Sequence, residues 1–413
     1  MKARKRYLRY ALSLLLVILG AASSGAGVLV QCPTDTNGDG ISEDPNVICT
    51  HLASGDGFTR MADGELQYIF SFAEVPPAMA VTDLVPSFTG RALFPAPTIQ
   101  LKQDQELYLS LTNVGMVMRP DLFDAHSVHW HGFINAASVF DGVPEVSPAS
   151  NMLATMPFYY LAAKEGTFFY HCHVEATEHM QMGMIGNLWV TPRQNDLPAG
   201  TSLKGFIHQA GFQYVYNDGD GSTYYDVTYP IQMTSFDSNF HNKHLAVQPL
   251  PFAEMKDDYF MINGRGYPDT VNTSDNDLST ADGDMVNRAG DYYGTDYVAQ
   301  RMNALIQANS GDKISLRISN VSTTDIISIA TTLGVPMRVV GRGAELLRGP
   351  GPNPKDTSYE VSVLNVGGGQ AFDVIIDTTG VLSGTYFLYT TNLQFLSNKA
   401  EERGGLMTEI VIN

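Results

Sequence analysis

From about Leu66 to the C-terminus the chain is written in short apolar runs separated by Gly, Pro and Asn, and no long stretch keeps a helical 3.6-residue period. That punctuation predicts an all-β fold of sandwich type. The runs fall in two sets. The first holds Leu66 to Phe72, Glu106 to Thr112, Thr167 to His173 and Asn187 to Thr191. The second holds Lys313 to Ser319, Met337 to Val340, Tyr359 to Leu364, Phe372 to Asp377, Gly384 to Tyr389 and Thr408 to Ile412. Residues 195–255 between them are polar, Tyr-rich and less regular, and read as a connector wrapped on the surface. The sets look like repeats of one domain, at 65–194 and 256–413. Gly166-Thr-Phe-Phe-Tyr-His171-Cys172-His173 and Gly384-Thr-Tyr-Phe-Leu-Tyr389-Thr390-Thr391 open alike and differ in their last three positions. Only the first copy ends in ligand-type side chains.

Charge and cysteine count narrow the function. The 413 residues carry 25 Lys plus Arg against 43 Asp plus Glu, a net charge of -18. A nucleic acid or an anionic membrane surface is therefore a poor main partner, and a cationic one is easier to accommodate. Three cysteines exclude a disulfide-built scaffold. Residues 1–26 show a basic start, an apolar run from Ala11 to Leu19 and small residues to Gly27, the pattern of a cleaved secretory signal. The run is short for a bilayer span, which favours cleavage over an anchor, and Gln31 ahead of Cys32 argues against lipidation. The expected location is periplasmic or secreted, with no membrane span after cleavage. In an oxidising compartment Cys32 and Cys49 are the natural disulfide pair. The N-terminal segment 27–64 also contains Asp35-Thr-Asn37-Gly-Asp39-Gly40-Ile41-Ser-Glu43, which follows a calcium loop to its ninth position but has Asn46 at the twelfth. Calcium and a plain acidic turn both remain open there.

Six of the ten histidines lie in two short windows around the remaining cysteine, Cys172. Strand alternation sorts them. His171 and His173 point to one face and Cys172 to the other, His129 and His131 share a face across Trp130, and His126 has the opposite parity. If the two strands are neighbours, two metal sites stand back to back. The inner one has His126, Cys172 and His179, with Met184 or Met182 as a weak thioether. Two imidazoles, a thiolate and a thioether are the donors of a blue-copper electron-transfer centre. The outer one gathers His129, His131, His171 and His173, which could hold one or two further copper ions or zinc.

At these residues the sequence resembles the multicopper oxidase family, whose cupredoxin domains carry His-x-x-His-x-His-Gly and His-Cys-His followed by a histidine and Gly-Met or Gly-Leu. Here they read His126-Ser-Val-His129-Trp-His131-Gly132 and His171-Cys172-His173, then His179 and Gly183-Met184. The similarity extends through Ala96-Pro97-Thr98-Ile99, Asn113, Asp141-Gly142 and Ile262-Asn263-Gly264-Arg265. The resemblance implies two cupredoxin-like Greek-key β-sandwich domains, with His126, Cys172, His179 and Met184 as type 1 copper ligands. It implies His129 for type 2 copper and His131, His171 and His173 for the type 3 pair. It further implies a homotrimer, an acid at Asp141 that assists proton delivery, and an electron donor that is a small molecule, a metal ion or a redox protein; by its residues alone Asp141 reads equally as a turn residue in Asp-Gly.

Two features depart from the family pattern. Six residues separate Cys172 from His179, where laccase-like chains have four and the related copper nitrite reductases eight. The second domain offers Thr331-Thr332-Leu333-Gly334 and Tyr389-Thr390-Thr391 where further ligands would sit, and no histidine follows His244. His208, His241 and His244 in the connector could supply missing ligands, although the pair His241-Asn-Lys-His244 reads more simply as two exposed histidines in a polar loop. The expectation is an exported copper oxidoreductase that takes single electrons at the type 1 site and passes them through Cys172 to outer copper, where oxygen or nitrite is reduced. The alternative is a blue-copper electron-transfer protein without a complete catalytic cluster.

Overall fold

The computed structural model describes residues 31–77, 79–135, 137–272, 303–351, 354–399 and 401–413. The signal-like segment 1–26 lies outside them. The first sandwich is built from β1 (Val47–Arg60), β2 (Leu66–Glu74), β3 (Ala96–Lys102), β4 (Glu106–Gly115), β5 (His129–His131), β6 (Thr155–Leu161), β7 (Gly166–His171) and β8 (Ile185–Thr191). Its sheets have the orders β2-β1-β4-β6 and β3-β8-β7-β5. Two small hairpins follow, β9 (Ser202–Leu203) with β10 (Phe206–Ile207) and β11 (Gln213–Tyr214) with β12 (Tyr224–Tyr225).

The second sandwich contains β13 (Val227–Phe236), β14 (Tyr259–Ile262), β15 (Ile306–Ala308), β16 (Lys313–Asn320), β17 (Ile327–Thr331), β18 (Met337–Arg342), β19 (Glu345–Leu346), β20 (Tyr359–Val361), β21 (Val363–Val366), β22 (Gln370–Asp377), β23 (Gly384–Thr390) and β24 (Met407–Ile412). One sheet runs β14-β13-β16-β22-β18-β19 with β20 on β18, and the other runs β15-β24-β23-β17-β21. The described α-helices are short: α1 (Val81–Phe88), α2 (Ala176–Gln181) and α3 (Ser238–Leu245). No helix among the described residues is long and apolar enough to cross a membrane.

The all-β expectation holds, and two boundaries move. β1, placed by sequence in an N-terminal segment ahead of residue 65, pairs along its length with β2 and β4. Gly55, Asp56 and Gly57 weaken its apolar alternation, which is why composition hides it. Likewise β13, assigned to a surface connector, lies in the main sheet of the second sandwich between β14 and β16. Its Thr and Gln side chains face the first domain instead of water, so polarity misreads its burial. Cys32 and Cys49 form the expected disulfide.

Alternation along β7 decides which side of the first domain each residue serves. Phe168, Tyr170 and Cys172 join the core with Leu107, Leu109 and Trp130. Phe169 faces the other way and packs with Phe94, Ile185, Phe236 and Met261 in an apolar layer between the domains. The same interface holds a buried polar cluster: Thr167 and Tyr216 donate to the two oxygens of Asp373, each at 2.5 Å, and Arg317 Nη1 lies 3.6 Å from Asp373.

A second interdomain carboxylate is Asp257, 8% exposed. It accepts hydrogen bonds from Gln181, Ser235 and Thr324. Burial pushes its carboxyl up to about 6, against the lowering pull of those donors. A folded-state value above the unfolded one means a stability contribution that is complete below pH ~4 and lost as pH rises through about 6. Urea unfolding at pH 4 and pH 7 should show Asp257→Asn retaining up to about 3 kcal/mol that the parent loses over that interval. Equal losses in both proteins would reject the assignment.

Candidate metal centre

The inner site assembles where β7 ends. The backbone leaves the strand after His171, but the alternation survives it: Cys172 Sγ is buried in the core, and His171 and His173 stay on the opposite side. His126 does not lie on β5. It forms an isolated bridge with Ser150, with reciprocal bonds of 3.0 and 2.7 Å, that sets its ring against Cys172 from 46 positions away. His179 comes from α2, and Met184 follows the Gly183 turn. Cys172 N–H donates to Met184 O at 3.1 Å, and Met184 N–H to His179 O at 2.8 Å, so one short loop carries three of the predicted ligands.

The donor atoms converge. Cys172 Sγ lies 3.1 Å from His179 Nδ1 and 4.0 Å from His126 Nδ1, and the three atoms fall within 4.8 Å of one another. All three residues are fully buried, as are Met182 and Met184. Burial alone would raise the Cys172 thiol, yet His179 and His126 beside it hold it at about 5. Ser127 N–H also donates to the sulfur, at 3.4 Å. A thiolate is the metal-binding form, so the pocket favours it before any ion arrives. Burial opposes a charged His179, but the Cys172 sulfur and the Asp124 carboxylate raise its pKa strongly. Asp124 Oδ1 stands 3.2 Å from His179 Nε2. Asp124 and Ser127 were not singled out in the sequence. Asp124, two positions before His126, was visible as an acid beside the motif, whereas the Ser127 contact is made by backbone and carries no side-chain signal.

The outer histidines also gather. In the β5–β7 pair His129 stands opposite His171, Trp130 opposite Tyr170 and His131 opposite Phe169. Ligand atoms of His129, His131 and His171 lie within 4.8 Å of one another. The His173 ring is 5.0 Å from that of His129 and 5.5 Å from that of His171. His129 Nδ1 is 2.7 Å from Asp141 O, and His171 Nδ1 is 2.8 Å from Cys172 O. Bonding Nδ1–H to a carbonyl fixes the tautomer and leaves each Nε2 free to bind a metal. Burial lowers the pKa of His129, His131 and His171, the last to about 3. Neutral imidazoles are the ligating form. Asp141 touches His129 chiefly through its carbonyl. Its Oδ1 lies 3.6 Å from His129 Nδ1 and accepts from Asn135 Nδ2 at 2.5 Å. Gly142 follows at φ +80°, where a Cβ would sit 2.2 Å from Val128 O, so this turn requires glycine.

The connector histidines do not join either set, and they are not exposed. His241 is buried with Nδ1 2.6 Å from Tyr68 O. His244 Nε2 meets Glu178 Oε1 at 2.7 Å, and His208 Nδ1 meets Tyr214 OH at 2.9 Å. His241 and His244 are buried because α3 packs on β2, against Tyr68 and Phe70, and His208 because it sits among Phe212 and Tyr214 of the hairpin region. In the second sandwich β23 pairs with β17 as β7 does with β5, placing Ala330 opposite Tyr389 and Thr331 opposite Leu388. That register differs by one residue from the sequence alignment, and no imidazole stands in it. In the N-terminal loop, Asp35 accepts from Gly38 and Gly40 N–H, Asn37 from Asp39, and Asp39 from Ile41. An acidic turn makes every one of these bonds without an ion.

Residues 84–195 match the sequence profile of a multicopper oxidase domain. No curated protein sequence is significantly similar to the chain. Among solved structures, the blue copper oxidase from Nitrosomonas europaea has a TM-score of 0.59 at 20% identity, over 88% of this chain and 85% of that one. The multicopper oxidase mgLAC gives 0.58 at 18% identity, over 88% and 85%. A copper nitrite reductase from Nitrosomonas europaea gives 0.51 at 15%, over 89% and 93%. At these identities the likeness is one of fold.

Proposed function

With a multicopper oxidase domain at residues 84–195 and a two-domain cupredoxin-like architecture around it, the chain is, we propose, an exported copper-dependent oxidoreductase that oxidises its donor one electron at a time. The observation that carries this reading is a single continuous segment, His171-Cys172-His173, whose cysteine lies with the buried group and whose histidines lie with the outer one. Copper, when bound, supplies a one-electron couple. The inner donor set suits it, because sulfur favours the reduced ion and imidazole tolerates the oxidised one.

The remaining work falls to the chain's own groups. His126 and His179 present Nδ1 to the sulfur, Ser127 N–H steadies the thiolate, and the surrounding core excludes water. The Cys172 main chain joins this site to the neighbouring ligands, and the His171 ring is bonded back to Cys172 O, so the path outward is short and covalent. Met184, in preference to Met182, would supply the weak thioether donor, a choice that rests on the resemblance. At the outer site His129, His131, His171 and His173 would hold the second copper ion or ions, and Asp141 holds the His129 ring and stands nearby, where it would carry a proton. Oxygen is the acceptor in the primary reading, and nitrite the alternative.

One observation supports the second reading, a blue-copper electron carrier. The sequence has no histidine after His244, so a trimer that set one chain's first domain against the next chain's second domain would add no imidazole. Quantitative EPR beside total copper per chain separates the two. Blue and second-site signals together, with more than one copper per chain and donor-dependent oxygen uptake, are expected. One copper per chain with only the blue signal, and neither oxygen nor nitrite consumed, would leave an electron carrier.

A further inference from the structure

α2 brings His179 to the sulfur, yet it is six residues long and is preceded by Glu175 in the left-handed conformation, with no side-chain cap. A helix that short is not stable on its own. Two of its side chains are held from outside the first domain. Gln181, fully buried, donates from Nε2 to Asp257 Oδ1 at 3.1 Å and accepts at Oε1 from Thr323 Oγ1 at 2.8 Å. Glu178 meets His244 of α3 at 2.7 Å. Asp257 is fixed in turn by Ser235 and Thr324, and Ser235 by Ser322 at 2.6 Å. The amide of Gln181 thus has both ends paired inside the interface, in the orientation that this network dictates.

We propose that Gln181 is a positioning residue through which the histidine-free second domain, by Thr323 and Asp257, fixes the helix carrying His179 and so sets the geometry of the Cys172 centre. The copper part of this rests on the function proposed above; the mechanical part does not. Thr323→Val removes one bond, Gln181→Met removes both at similar volume, and Thr323→Ser keeps the hydroxyl.

Hydrogen exchange on the full chain without copper should show amides of residues 176–184 exchanging roughly tenfold faster in Gln181→Met and Thr323→Val. Thr323→Ser should match the parent, and amides of β4 should be unchanged in all three. In the copper-loaded proteins, the blue absorption and EPR hyperfine splitting should shift in the first two variants and return in Thr323→Ser. Unchanged exchange at 176–184 would overturn the clamp, and changed exchange with an unchanged spectrum would overturn its role at the centre. A parent without blue colour would overturn the copper reading, and with it the role at the centre, while the exchange result still judges the clamp.

Discussion

Replacing His129 and His131 together with alanine should lower donor oxidation by about 10³-fold, equivalent to about 4 kcal/mol of lost transition-state stabilisation, and leave the blue colour intact. The separation follows from the strand. Both rings lie on the face opposite Cys172, and neither touches the His126, Cys172 and His179 set. Steady-state oxygen uptake with a one-electron donor, measured beside the visible spectrum and copper content, reads both halves. Retained turnover would place the chemistry elsewhere. Lost colour would mean that the two sites do not fold independently.

The second large effect concerns the interface. Asp373→Ala should destabilise the protein by about 3–5 kcal/mol in urea unfolding, because it leaves the Arg317 guanidinium buried without its counter-charge. Both residues are at most 1% exposed. Thr167 and Tyr216 also lose their acceptor. Asp373→Asn, which keeps an acceptor oxygen but no charge, should cost less. A loss under about 1 kcal/mol would mean that the guanidinium is satisfied by other groups.

Much of the fold was legible because sandwich strands advertise themselves. The runs read at Lys313 to Ser319 and Phe372 to Asp377 correspond to β16 and β22 within a residue or two. Where strands were missed, the cause was a partner invisible to local pattern. β1 is interrupted by Gly55 and Gly57. β13 turns Thr234 and Gln232 toward the other domain, where polar residues are buried instead of solvated. The connector histidines were misjudged for the same reason: His241 and His244 sit in a polar stretch, but α3 carries them under cover of the first domain.

The sequence by itself determined which side chains are candidate ligands and the side on which each stands. A two-residue period along the run Thr167 to His173 admits only two faces and so sets His171 and His173 against Cys172, an opposition that the structure keeps although β7 itself ends at His171. Tertiary structure alone decided what met across long separations. It brought His126 to Cys172 across 46 positions, Asp124 to His179, and Gln181 to Asp257 across 76. Periodicity fixes direction within an element, whereas contact between elements depends on how whole sheets pack. No local pattern encodes that.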